Sequence, residues 1–97
     1  MKRFSSPIPI AGALQEALRE YGIERKMREQ ELLTRWVELA GTAVSNHASP
    51  SRFRDGILTL RVSDAAWRQE LSLRREELRR MLNEALHDEI VMEVVFR

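Results

Sequence analysis

Arg52-Phe53-Arg54-Asp55-Gly56-Ile57-Leu58-Thr59-Leu60-Arg61-Val62 is the stretch on which the fold turns. Asp-Gly between two strand-like runs is the dipeptide of a two-residue hairpin turn, in which both central residues need positive φ. Counting outward from it sets a register: Arg54 opposite Ile57, Phe53 opposite Leu58, Arg52 opposite Thr59. Directly opposed residues share a sheet face. Phe53, Leu58, Leu60 and Val62 therefore form an apolar face, and Arg52, Arg54, Thr59, Arg61 and Ser63 lie with Ile57 on the other.

Toward the C-terminus, Asp64 reads as the N-cap of a helix over residues 65–87. Trp67, Leu71, Leu78, Met81, Leu82 and Ala85 make its buried side; Arg68, Arg75, Glu76, Arg79, Arg80 and Asn83 make its wet side. The closing residues 90–97 alternate, with Ile90, Met92, Val94 and Phe96 on one face and Val91, Glu93, Val95 and Arg97 on the other. A strand, helix, strand unit predicts a parallel pair joined by a right-handed crossover.

Toward the N-terminus, Leu14, Ala17, Leu18 and Tyr21 fall at helical spacing over residues 10–21, and Gly22 marks an end. A second helix is expected over 24–40, with Glu24 in its first turn and Leu32, Leu33, Trp36, Val37 and Ala40 as its stripe. Gly41 stops it; Ala43 and Val44 allow one more helical turn, and Asn46, His47, Ser49 and Pro50 read as loop. Residues 1–9, with Lys2 and Arg3, form a basic lead-in arm. The predicted order is α-α-β-β-α-β: an α+β domain over residues 10–97, with a three-stranded mixed sheet carrying its helices on one face.

Composition narrows the function classes. The 97 residues are 43% hydrophobic and 32% charged, an ordinary globular balance, and fit one domain. Net charge is only +1, so any pull on nucleic acid must come from local clustering. The lack of cysteine excludes disulfides, thiolate metal sites and a zinc ribbon, and agrees with a cytoplasmic setting. No apolar run is long enough for a membrane span, and the N-terminus lacks the apolar stretch of a signal peptide. His47 and His87 lie outside any metal-ligand spacing, no Gly-x-Ser-x-Gly elbow occurs, and Gly12, Gly22, Gly41 and Gly56 are too scattered to cradle a phosphate. Neither a catalytic centre nor a cofactor is expected.

Two surfaces are candidates for partners. Arg52, Arg54, Arg61 and Arg97 project from the open sheet face, and Lys2 and Arg3 can extend it as a mobile arm. Such arginines suit phosphate contacts, which would be weak, non-specific and salt-sensitive. Arginine on an open face also simply keeps a sheet soluble and unpaired, and this face has no stacking aromatics. The other candidate is the helical surface around Trp67, Arg68, Arg75 and Arg79, a solvated face or a protein-docking face. Trp36 and Trp67 each fit core packing, or an interface anchor where exposed. An uncovered sheet edge would allow a weak homodimer of an otherwise monomeric chain.

The ordered set Trp36 to Gly41, then Asn46-His47-Ala48-Ser49-Pro50, then Asp55-Gly56-Ile57-Leu58-Thr59-Leu60-Arg61-Val62, then Ala66-Trp67-Arg68-Gln69-Glu70-Leu71 resembles the DciA family. The resemblance covers nearly the whole chain. It implies a KH-like domain that binds the bacterial replicative helicase of the DnaB type and assists its loading on DNA, with no ATP of its own. Carried over by position, the signature is Trp36, Gly41, His47, Pro50, Asp55, Gly56, Trp67 and Leu71, residues to which the local reading already gives structural roles.

Overall fold

The turn at Asp55-Gly56 forms with φ of 53° and 83°, the left-handed pair that the dipeptide prescribes. It joins β1 (Ala48–Arg54) to β2 (Ile57–Val62) in an antiparallel ladder, and the register is the one counted from the turn: Arg54 with Ile57, Phe53 with Leu58, Arg52 with Thr59. β3 (Glu93–Phe96) runs parallel to β2, giving the strand order β1-β2-β3. The structure, a computed structural model, describes residues 9–97. The arm expected at residues 1–9 lies outside them except for Pro9, which already belongs to the first helix.

Five helices accompany this sheet: α1 (Pro9–Thr34), α2 (Trp36–Ala40), α3 (Thr42–Ser45), α4 (Ala65–Leu73) and α5 (Arg75–Leu86). The architecture is α+β with a mixed three-stranded sheet in the expected order of elements, but several boundaries differ. Gly22 does not end a helix; α1 runs through it, and Glu24 is mid-helix rather than in a first turn. A solvated glycine costs a helix only about 1 kcal/mol, and α1 is secured at its C-terminal end by Leu32, which is fully buried. The i,i+3 and i,i+4 pairs Arg28–Glu31 and Arg25–Glu29 add support there.

The actual breaks fall at Arg35 and Arg74, neither a helix breaker. Arg35 (φ −107°, ψ 23°) and Arg74 (φ −106°, ψ 25°) take nearly the same bridge-region conformation. The helix expected over 65–87 is thus two pieces, one packed on β2 and the other on α2 and β3. α3 is the helical turn that Ala43 and Val44 allow, and Asn46 and His47 stay outside regular structure, but Ser49 and Pro50, expected as loop, are strand residues. Proline is tolerated because β1 is an edge strand, and the register shifts at a bulge just after it, between Pro50 and Arg52.

The core lies under one sheet face. Phe53, Leu58, Leu60, Val62 and Val94 are buried, and they meet Trp36, Leu39, Leu71, Leu78, Leu82 and Leu86 from the helices. Trp36 is a core residue whose Nε1 donates to the carbonyl of Ala48 at 2.8 Å. Asp64 caps α4 as the sequence indicates, accepting from the Ala66 amide at 2.7 Å. Gly41 (φ 89°) turns the chain between α2 and α3, where a side chain would be strained.

Asn83 departs furthest from its expected wet position: it is 2% exposed. Its Oδ1 accepts from the Val91 amide at 2.8 Å, and its Nδ2 donates to the Val91 carbonyl at 3.0 Å and to Glu89 at 3.3 Å. The side chain thus acts as a ladder partner for Val91 ahead of β3. This fixes Val91 inward and fully buried, while Met92 turns out to 67% exposure, the reverse of the expected alternation. The pattern resumes inside β3, where Val94 faces the core.

Candidate functional site

The pleat of the sheet builds the first candidate surface. Paired residues on the face away from the core run in rows: Arg54, Ile57 and Glu93; then Arg52, Thr59 and Val95. Arg97 follows beside Arg61, its amide donating to the Leu60 carbonyl and its carbonyl accepting from Val62. Arg52, Arg54, Arg61 and Arg97 are all exposed, so the structure brings together the four arginines singled out from the sequence. Lys2 and Arg3 lie outside the described residues.

Several arginines on or between the helices are neutralised by neighbours, while Arg68, Arg75 and Arg80 pair with no acid among the described residues. Arg35 is bonded to Glu31 and Glu38, Arg74 to Glu70 and Arg79 to Glu76. The Arg35 guanidinium holds the Glu38 carboxyl below the usual carboxylate range, and Arg79 does the same to Glu76, in each case chiefly by direct hydrogen bonding. The four sheet-face arginines form no ion pair among the described residues. With Glu93 as the acid in their rows, they leave that face positive.

The second candidate surface, on α4 and α5, is less free than its sequence suggests. Arg68 is half-buried and donates to the Val62 carbonyl at 3.1 Å. Arg79 is half-buried too, reaching Glu76 and the Val91 carbonyl. Arg68 thus ties α4 to the end of β2, and Arg79 ties α5 to the segment leading into β3. Arg75 stays exposed, with its guanidinium 5.6 Å from the Phe96 ring centroid and 3.2 Å from Ser72 Oγ. Trp67 is half-buried and stacks on His47 with ring centroids 4.1 Å apart and an interplanar angle of 13°. The carbonyl of His47 accepts from the Ser63 amide at 3.2 Å, so this residue closes the end of β2 while its ring packs on α4.

A third surface was not anticipated. From Gly12 to Glu24 every residue of α1 is exposed, including Leu14, Leu18 and Tyr21 at 59%, 62% and 65%. The stripe was visible as helical spacing, but spacing cannot show that nothing covers it. Beside its inner end a cleft of about 210 Å³ opens between α1, the hairpin turn and the segment leading to β3, lined in part by Tyr21, Glu24, Asp55, Asp88, Glu89 and Met92. Among the described residues no group of three or more His, Cys, Asp or Glu is placed to hold a metal ion. No helix among them is long and apolar enough to cross a membrane.

The sequence model of one family, described as Dna[CI] antecedent, DciA, matches residues 9–96, from the start of α1 to the end of β3. The chain belongs to the DciA family. A UPF0232 protein of Rhodococcus jostii is 32% identical over 81 residues, which is 82% of this chain and 43% of that relative. A UPF0232 protein of Mycobacterium tuberculosis is 25% identical over 85 residues, 88% of this chain and 46% of the relative. One of Mycolicibacterium paratuberculosis is 26% identical over 72 residues, 74% and 40% respectively. The chain spans less than half the length of these relatives.

The DciA signature acquires physical meaning from the structure. Trp36 and Leu71 are core, Gly41 and Gly56 hold positive φ, and His47 stacks on Trp67. Gly56 has a second duty, since its carbonyl accepts from the amides of Met92 and Glu93, and a Cβ there would lie 2.7 Å from Met92 Cγ. Trp36, Gly41, Gly56 and Leu71 of this set thus each serve the fold.

Proposed function

We propose that this chain is a non-enzymatic binding module that engages the bacterial replicative DNA helicase, of the DnaB type, and assists its loading in DNA replication. The observation that carries the reading is the DciA match, which extends over the whole described fold rather than over one motif. The chemistry supports it: the polar groups with well-defined partners serve the architecture, and the remaining features are surfaces. The reading needs no cofactor and places the chain in the cytoplasm, with residues 10–97 as its folded unit. Of the α4–α5 docking surface, Arg75 and the uncovered part of Trp67 remain available to a partner. The test is anisotropy of the labelled chain titrated with the replicative helicase of the same cell. Saturable binding at micromolar or lower concentration is expected; a flat titration at tens of micromolar overturns the reading.

A second reading rests on a separate observation, four arginines on one open face that form no ion pair among the described residues. On this reading the sheet face binds the nucleic-acid backbone weakly and without sequence preference. Each phosphate contact to single-stranded DNA contributes about 0.7 to the slope of log K against log salt. Replacing Arg52, Arg54, Arg61 and Arg97 by alanine should therefore remove up to about 3 from that slope. An unchanged slope, or no binding by the parent chain at low salt, eliminates this reading.

A further inference from the structure

We propose that the N-terminal half of α1 is a docking surface for an amphipathic helix of a partner protein, one whose apolar stripe is bordered on one side by lysine or arginine. The inference deepens the protein-binding reading above and rests on it. It starts from helical phase. Leu32 lies 18 positions beyond Leu14, five turns at about 3.6 residues each, so the two share one face of α1. Leu18 and Tyr21 sit on the same face. At Leu32 that face is fully buried under the folded body; at Leu14, Leu18 and Tyr21 it is more than half exposed. Between Tyr21 and Leu32 the face is carried by Arg25 and Arg28, so the apolar stripe is confined to the N-terminal half of α1, while the body covers only its C-terminal end. A 26-residue helix is about 39 Å long, within a molecule of 59 × 24 × 19 Å, so the apolar half of α1 projects from the body. A row of large apolar side chains on a projecting helix marks an interaction site.

Charge identifies the occupant. Glu20 and Glu24 border the stripe on one side, and neither forms an ion pair among the described residues. The cleft at its inner end is also lined by Asp55, Asp88 and Glu89, but these face Arg25, Arg28 and Arg79 at 3.5, 3.8 and 3.8 Å, so the free acidic charge beside the stripe is that of Glu20 and Glu24. An acidic border repels nucleic acid and attracts a basic one, and Tyr21 beside Glu24 offers a ring face and a carboxylate to an incoming cation. The other border, Gln15 and Gly22, is uncharged. A second copy of this chain fits poorly. Antiparallel pairing of two α1 helices would set the Glu20–Glu24 border against its own copy. Parallel pairing would drive two folded bodies together, because the body lies on the side of the stripe.

The test is the double variant Leu14→Glu, Leu18→Glu, with Arg75→Glu as the comparison. Both positions are exposed, so the urea midpoint should stay within error of the parent. Against the replicative helicase, the double variant should bind at least tenfold more weakly and Glu20→Lys, Glu24→Lys measurably more weakly, with Arg75→Glu less affected than either. Parent and double variant binding equally would overturn the α1 surface and leave the helicase reading standing. A parent that does not bind the helicase would defeat that reading alone. A second arm then decides the surface: a helical peptide with leucine at i, i+4 and i+7 and lysine along one border should bind the parent, but not the double variant. Its glutamate-bordered counterpart should bind neither. Equal binding of both peptides, binding of neither, or a parent dimer abolished by the double variant overturns the proposal.

Discussion

Replacing Asn83 by alanine should be the most damaging single polar substitution in the molecule. Its side chain supplies the acceptor for the Val91 amide at 2.8 Å, in a position where Val91 is fully buried. Without it that N–H has no partner, and a buried unsatisfied donor costs about 1–3 kcal/mol. The Val91 carbonyl fares better, since Arg79 Nη1 still donates to it at 3.3 Å. Losing its bond from Asn83 costs about 1 kcal/mol more, for a total of about 2–4 kcal/mol. A domain of this size has an m-value near 1 kcal/mol per molar urea, so the midpoint should fall by about 2–4 M, a large share of a stability of about 5–10 kcal/mol. Urea unfolding followed by tryptophan fluorescence reads this directly. Asn83→Asp keeps an acceptor for the amide but turns a second oxygen toward the Val91 carbonyl and toward Glu89. It should be destabilised at neutral pH and partly recover as acid protonates it. An Asn83→Ala midpoint within 0.5 M of the parent, about 0.5 kcal/mol, would refute the view that this side chain holds the entry to β3.

Gly56→Ala meets two obstacles, a φ of 83° and Met92 Cγ at 2.7 Å from the new Cβ. It should cost about 1–3 kcal/mol, seen as a lower melting midpoint; relieving the contact by Met92→Ala in the same chain should recover part of that loss. The ion pairs give a pH dependence. Glu38 and Glu76 titrate below the usual range because Arg35 and Arg79 bond their carboxylates. A depressed folded-state value contributes stability that is present above the unfolded carboxylate pKa of about 4.3 and lost as pH falls through the folded value. The double variant Glu38→Gln, Glu76→Gln should lose less stability than the parent between about pH 5 and pH 3, measured as urea midpoints. Parallel acid limbs would contradict it.

Where one local constraint fixes the outcome, the sequence can be read directly. Asp55-Gly56 allows one hairpin geometry, and from it follow the register, the core face and the arginine-lined face. Asp64 likewise announces α4. Gly41 ends α2 as expected, but elsewhere helix continuity is harder to read because breakers and breaks do not coincide. Gly22 is tolerated where nothing packs against it, whereas α1 and α5 are delimited at Arg35 and Arg74, where the chain changes direction to reach the core. A buried asparagine cannot be told from a solvated one by spacing, so the pattern alone puts Asn83 in water and reverses the phase of Val91 and Met92. The candidate surfaces follow the same rule. The pleat makes the sheet-face arginines readable, while the internal bonds of Arg68 and Arg79, and the lack of cover over Leu14 and Leu18, are tertiary facts.

Association with the replicative helicase is measured most directly by size-exclusion chromatography with light scattering on the purified chain and the helicase from the same cell. A co-eluting complex of defined mass is expected, formed without added nucleotide and lost with Leu14→Glu, Leu18→Glu. Separate elution of the two proteins at tens of micromolar would contradict it.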